Sequence, residues 1–314
     1  MRTAFFGALA EVAERDPQLH LIVGDLGFGV VESFAARFPD RFLNAGVAEQ
    51  NMTGIAAGLA LSGKTVFVYS IANFPILRCL EQIRNDICYH KANVKIVAVG
   101  GGLAYGSLGM THHATEDLAI LRTLPEMTVL APGDPREAAA ATYAVAAHEG
   151  PCYLRLGRAG EPIVHRGPIN FYIGKAIRLR DGEDITLIST GGMLETAVCV
   201  AETLAARGIE SRVLSMHTLK PLDTEAIHCA AKETRAIVTL EEHTIIGGLG
   251  GAVAEYLAEC DDARVPFRRI GLPSEFSSHV GSQNYLRQRY GLSPALILQA
   301  VESLLETVRT TSTH

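Results

Sequence analysis

The chain has 314 residues, about twice the roughly 150 typical of one domain, and 48% of them are apolar, enough for two cores. Its net charge of −6, with no long basic run, gives nucleic acid and anionic membrane no electrostatic handle. The six cysteines, at 79, 88, 152, 199, 229 and 260, contain no C-x-x-C pair, which argues against a zinc knuckle or a thioredoxin-like site and suits buried, reduced thiols in a cytoplasmic protein.

The apolar stretch FFGALA (5–10) is followed at once by Glu11, Glu14, Arg15 and Asp16, with no cleavage-like site, so a first amphipathic helix is expected there rather than a signal peptide. No apolar run approaches the ~20 residues of a membrane span. Short β-rich runs then alternate with helical patterns. Strands are expected at 19–25, 64–70, 93–100, 127–132 and 152–157, and helices at 50–62, 75–91, 115–124 and 135–148. The strands are apolar on both faces, as a parallel sheet covered by helices requires. Residues 157–174 break this rhythm with four glycines and two prolines and read as the connector. A second alternation follows, with strands at 184–190, 211–216, 236–242 and near 266–271, and helices at 192–207, 223–231, 248–260 and near 293–307. The fold class is α/β, with two domains that are each a mainly parallel sheet covered by helices. Their limits are set at 1–165 and 181–314, with residues 166–180 linking them.

Four stretches carry candidate chemistry. In LNAGVAEQNMTG (43–54), Glu49 sits among small and apolar residues at the start of a helix. Either the helix dipole favours a first-turn acid there, or a buried carboxylate waits for a ligand, since burial costs several kcal/mol unless the charge is paired. In GSLGMTHHATED (106–117), His112 and His113 lie in a glycine-rich loop just before a helix, where they are satisfied loop residues or donors to an anionic ligand. Adjacent histidines do not readily face one metal ion, so no metal site is assigned. In YLRLGRAGEP (153–162), Arg155 and Arg158 follow a strand, a place suited to a phosphate or to an interface ion pair. The glycine cluster TIIGGLGGAVAEYL (244–257) lacks the acid of a dinucleotide fingerprint and reads better as close helix packing.

Taken in order, AGVAEQNMTGIAAGLALSG, VYSIANFPILRCLEQIRND, GSLGMTHHATEDLAILRTLPEMTVLAPGDP and CYLRLGRAGEP resemble the thiamine-diphosphate enzymes of the transketolase group, over nearly the whole chain. The match is to the pyrimidine-binding domain plus the C-terminal domain, as also found in 1-deoxyxylulose-5-phosphate synthase and the β subunits of 2-oxoacid dehydrogenases. The resemblance implies that Glu49 is catalytic, hydrogen-bonding a ring nitrogen of the cofactor's aminopyrimidine and so helping to form the reactive carbanion. It implies that Phe74, with Tyr69 as a possible neighbour, stacks on the pyrimidine. His112 matches a histidine that contacts substrate hydroxyls or the reacting oxygen, Arg158 an arginine for the substrate's terminal phosphate, and Arg78 a further substrate-channel arginine.

Departures from the family pattern change part of the expectation, toward a sugar other than the ordinary pentose and heptose phosphates and weaker phosphate binding. Leu108 stands where relatives carry an aspartate that reads a substrate hydroxyl, and no basic residue occurs near Gly100 or Gly101. No G-D-G motif for Mg²⁺ is present, and without a divalent ion the two phosphate charges go unneutralised. The expected partner is therefore an N-terminal transketolase subunit supplying the diphosphate and Mg²⁺ domain, joined to a homodimer of this chain in an α₂β₂ assembly, with a small sugar as substrate. The expected activity is transfer of a two-carbon ketol unit from a ketose to an aldose. A dehydrogenase-type β subunit serving a lipoyl or acyl-carrier thiol, and a non-catalytic partner subunit, are the alternatives.

Overall fold

A computed structural model describes residues 1–311, with side chains to Val308. Seven strands form the first sheet: β1 (Leu19–Val23), β2 (Phe42–Asn44), β3 (Thr65–Ile71), β4 (Val94–Val99), β5 (Thr128–Leu130), β6 (Cys152–Leu156) and, from the second half of the chain, β10 (Thr218–Lys220). Five more form the second: β7 (Ile177–Arg180), β8 (Ile185–Ser189), β9 (Ser211–Ser215), β11 (Ile237–Thr244) and β12 (Phe267–Leu272). The first runs β10-β5-β6-β4-β3-β1-β2 and the second β12-β11-β8-β9-β7. All pairings are parallel except β10 with β5 and β7 with β9. The expected α/β class is therefore present, and each sheet carries one antiparallel edge strand.

Alternation along β3 decides what faces the functional side. Val66 and Val68 enter one buried cluster with Met52 and Ala56 of the helix Glu49–Leu61, while Phe67 and Tyr69 enter another with Phe5 and Leu9 of the helix Arg2–Arg15. The helix Pro135–Ala147 lies beside the latter helix and adds Ala138, Ala141 and Val145 to the same cluster. The first of these clusters also takes in Ile188, Leu214 and Ile237 of the second sheet. Instead of two independent cores, one core spans the inner faces of both sheets, and each sheet has a further cluster on its outer face. The strand β10 adds to this interlocking, because its neighbour His217 accepts the Ala131 N–H at 2.8 Å and Ala131 in turn accepts the Gly191 N–H at 2.9 Å.

One expected element differs. The helix anticipated at 75–91 is broken into Phe74–Leu77, Leu80–Gln82 and a wide π-type turn at Ile83–Cys88. A continuing helix would need the Arg78 carbonyl to accept an N–H from the next turn. That carbonyl instead accepts the side-chain amide of Gln50 at 2.9 Å, from the helix that carries Glu49. The break thus ties the Phe74–Arg78 segment to the Glu49 helix.

Candidate active site

Glu49 is the first residue of its helix and is only 3% exposed. Strand β1 ends at Val23, and its successor Gly24 lies against both Glu49 and Ser70: a Cβ built at Gly24 would sit in ordinary contact, 3.6 Å from Glu49 Cγ and from Ser70 Oγ. Glu49 Oε2 accepts from Arg78 Nη1 at 2.9 Å. The same guanidinium lies over the Phe74 ring, 4.5 Å from its centroid, and is half exposed. The His112 ring meets Phe74 edge-on at 5.2 Å, and its Nδ1 is 3.0 Å from Thr111 Oγ1. Asn73 donates its side-chain amide to the Thr111 carbonyl, which fixes the Phe74 segment against the histidine loop.

Asn73, Phe74, Arg78 and Thr111 border a cleft of about 730 Å³, which His113 also lines from the first half and Thr244, Leu272 and Phe276 from the second; His112 packs edge-on against Phe74 but does not itself line the cleft. Glu49 lies behind Arg78 rather than on the cleft wall. His113 is buried, and burial pushes its imidazole below the ordinary value. Burial likewise pushes up the Cys79 thiol, which lies in the same core beneath the Glu49 helix.

The structure brings Glu49, Phe74, Arg78 and His112 together and leaves two expected residues elsewhere. Tyr69 points to the opposite face of β3, its ring stacked on Phe5 at 6.0 Å and edge-on to Phe6 at 5.0 Å. It is a core residue there, because strand alternation turns Ser70, and not residue 69, toward Glu49. Arg158 is exposed just beyond β6, with its guanidinium 5.1 Å from the Tyr105 ring centroid, and does not line this cleft.

Sequence reasoning missed a buried cross-brace behind the histidine loop. Asp117 Oδ2 accepts the Tyr153 hydroxyl at 2.5 Å and lies 2.9 Å from Arg155 Nε. Arg155 Nη2 then donates to the Ala114 carbonyl at 2.7 Å and to the Glu242 carbonyl at 3.0 Å, tying the loop to β11. Arg155 was readable as a strand-end cation, but its acid partner stands 38 positions earlier and no local pattern announces it. The glycine cluster is also explained. Glu241 accepts the N–H groups of Leu249 and Gly250 at 2.7 and 2.8 Å, capping the helix Leu249–Glu259, and a side chain at Gly248 would fall 2.0 Å from that carboxylate.

The residues fit a flat, nitrogen-rich ring. Ser70 Oγ and Asn73 Oδ1 are buried with no hydrogen-bond partner among the described residues, beside a carboxylate and an aromatic face. Such a set offers acceptors for ring N–H and amino groups and a surface for stacking. The only described group of three or more His, Cys, Asp or Glu side chains close enough to share an ion is His228, Cys260 and Asp262, and none of them lines the cleft. No described helix is long and apolar enough to cross a membrane.

Comparison with known proteins places the chain in a family. The model of the transketolase pyrimidine binding domain matches residues 1–160, and that of the transketolase C-terminal domain matches residues 174–297. Over 293 residues the chain is 42% identical to one of the subunits of the apulose-4-phosphate transketolase of Phocaeicola vulgatus, with 93% of each chain covered. It is 38% identical over 307 residues to the 6-deoxy-6-sulfo-D-fructose transketolase subunit SqwH of Clostridium sp., covering 98% of this chain and 94% of that one. A solved split gene transketolase, an inactive beta4 tetramer, superposes with a TM-score of 0.90 at 40% identity over 97% of this chain and 98% of that one.

Proposed function

The chain belongs to the transketolase family, and from that premise we propose that it is the C-terminal subunit of a thiamine-diphosphate-dependent split transketolase. The observation that carries this reading is the buried Glu49 carboxylate beside Phe74 and two orphaned polar groups. Bound thiamine diphosphate supplies the carbanion chemistry of two-carbon transfer. Glu49 holds a proton at the pyrimidine nitrogen, and Phe74 supports the ring face. His112, with Nδ1 turned to Thr111, keeps Nε2 for a sugar hydroxyl. Arg78, on the cleft wall, supplies positive charge for an anionic sugar terminus, which suits relatives named for a phosphate-bearing and a sulfo-bearing sugar, whereas Arg158 lies outside the cleft and is assigned no contact there.

In this reading the diphosphate and its Mg²⁺ are held by a partner chain, which relatives of similar length named as subunits support, and two copies of each form the cytoplasmic α₂β₂ enzyme. Relatives named as transketolase subunits favour a sugar acceptor over a lipoyl or acyl-carrier thiol.

Reconstitution with a diphosphate-domain subunit tests the reading. Wild-type protein transfers a ketol unit from an anionic ketose, while Glu49→Ala and Glu49→Gln assemble normally and lose about 100- to 10,000-fold in kcat, the usual worth of a positioned proton-transfer group. A Glu49→Ala enzyme working at the wild-type rate makes this chain a scaffold. Turnover only with a lipoyl or carrier thiol makes it a dehydrogenase-type subunit.

A further inference from the structure

Two contacts define the place where a protonated aminopyrimidine would sit: an edge N–H to the Glu49 carboxylate and a face on the Phe74 ring. Both are already made by one side chain. Arg78 donates to Glu49 Oε2 at 2.9 Å, and its guanidinium carbon lies 4.5 Å from the Phe74 centroid. A guanidinium is flat, delocalised, cationic and rich in N–H donors, so it resembles the protonated ring in shape, charge and bonding.

From this coincidence we infer that Arg78 is a positioning residue that stands in for the cofactor's pyrimidine ring in the cofactor-free protein and swings out when the ring enters. The inference rests on the transketolase reading and goes beyond the substrate contact assigned to Arg78 there.

The surroundings allow such a swing. The Arg78 backbone is pinned, because its carbonyl accepts from Gln50 at 2.9 Å. Its side chain is 50% exposed and borders the 730 Å³ cleft, so the guanidinium has open volume to move into. Glu49, by contrast, is 3% exposed and cannot follow it. The cofactor-free protein needs a countercharge there, since an unpaired buried carboxylate is costly. The arriving ring replaces that countercharge and takes over the same aromatic face.

Occupation of the site by Arg78 has a measurable consequence. If the guanidinium is seated about nine-tenths of the time, the competent fraction is one-tenth and the apparent Kd for the cofactor is about tenfold weaker than the intrinsic value. The test uses the complex of this chain with its diphosphate-domain partner, titrated with thiamine diphosphate and Mg²⁺ by calorimetry, with association followed by stopped flow. Arg78→Met removes the charge and the flat face and keeps the stem. It is expected to bind the cofactor about tenfold more tightly, with most of the gain in the association rate. Arg78→Lys keeps a countercharge for Glu49 but cannot stack as a plane, so it folds like wild type and falls between the two. The KM for the sugar, read separately, reports the substrate role. An unchanged or weaker cofactor affinity in both variants overturns the inference and leaves the transketolase reading intact. A wild-type complex that binds no thiamine diphosphate overturns that reading and this inference with it.

Discussion

The cross-brace behind the histidine loop predicts strong coupling between Asp117 and Arg155. Both side chains are about 95% buried or more, and their charges face each other at 2.9 Å. Asp117→Asn keeps the shape and the contact with Tyr153 but leaves the guanidinium with only partial compensation from Glu242. Arg155→Met leaves the carboxylate with one hydroxyl donor. Breaking one side of a buried pair costs about 3–5 kcal/mol, whereas replacing both sides with neutral groups of similar volume is often close to neutral. Each single variant should therefore lose about 3–5 kcal/mol, and the double variant should lose several kcal/mol less than their sum. Urea unfolding at fixed protein concentration, followed by circular dichroism, measures all three. The single variants should also lose kcat/KM, because Arg155 holds the Ala114 carbonyl one residue beyond His113. Additive losses would refute the argument, as would an Asp117→Asn variant within about 1 kcal/mol of wild type.

Three further outcomes follow from other parts of the molecule. Burial raises Glu241 to about 7, so its stabilising contribution is full below the unfolded value near 4.5 and fades as pH rises to about 7. Burial lowers His243 to about 4, with Nδ1 donating to the Thr244 carbonyl and Nε2 accepting the Ala119 N–H, so its contribution is present above 6.5 and fades as pH falls toward 4. The two slopes oppose each other in wild type, and Glu241→Gln should uncover a stability that climbs between about pH 4 and 6.5 by up to ~1.4 kcal/mol per unit, whereas a flat profile in that variant counts against the assignment. Gly248→Ala should cost about 3 kcal/mol or more in thermal or urea unfolding, because its side chain would meet Glu241 at 2.0 Å, while Gly251→Ala, with nothing nearer than 3.8 Å, should be neutral or gain up to ~1 kcal/mol. Tyr69→Phe should leave cofactor affinity and kcat unchanged and stability within about 1 kcal/mol, since the hydroxyl makes no hydrogen bond of ordinary geometry; a large catalytic loss would return Tyr69 to the site.

Local pattern sufficed where local physics decides structure. Runs such as VFV (66–68) and IVAV (96–99) are apolar on both faces, so their burial in covered sheets was legible. The break at Arg78 was not, because it depends on Gln50, 28 positions away, taking the Arg78 carbonyl. Neither was the β10–β5 pairing, in which Thr218 and Lys220 meet Leu130 and Val129 from the other half of the chain. The same limit explains Tyr69. A strand buried on both faces has no polar side to mark direction, so residues 69 and 70 were equally eligible for the cleft until the Glu49 helix was placed on one face.

Glu49 was legible for a different reason: a carboxylate among glycine and alanine has no packing role to justify it. The structure adds why such a residue does not wreck the fold ahead of any ligand. The first turn of its helix, with unsatisfied N–H groups, favours a negative charge, and Arg78 supplies a cation at 2.9 Å from a half-exposed position. A pair with one half-exposed partner is easier to open than one buried on both sides, because the freed guanidinium returns to water. That ease suits a group that must be displaced. A fully buried cation in the same place would hold Glu49 more firmly and, once displaced by the ring, would itself remain buried without a partner, at a cost of about 3–5 kcal/mol. Arg155, locked between Asp117 and two carbonyls, is the contrasting case within the same chain, a buried arginine built to stay. The difference in exposure between the two arginines separates a brace from a placeholder.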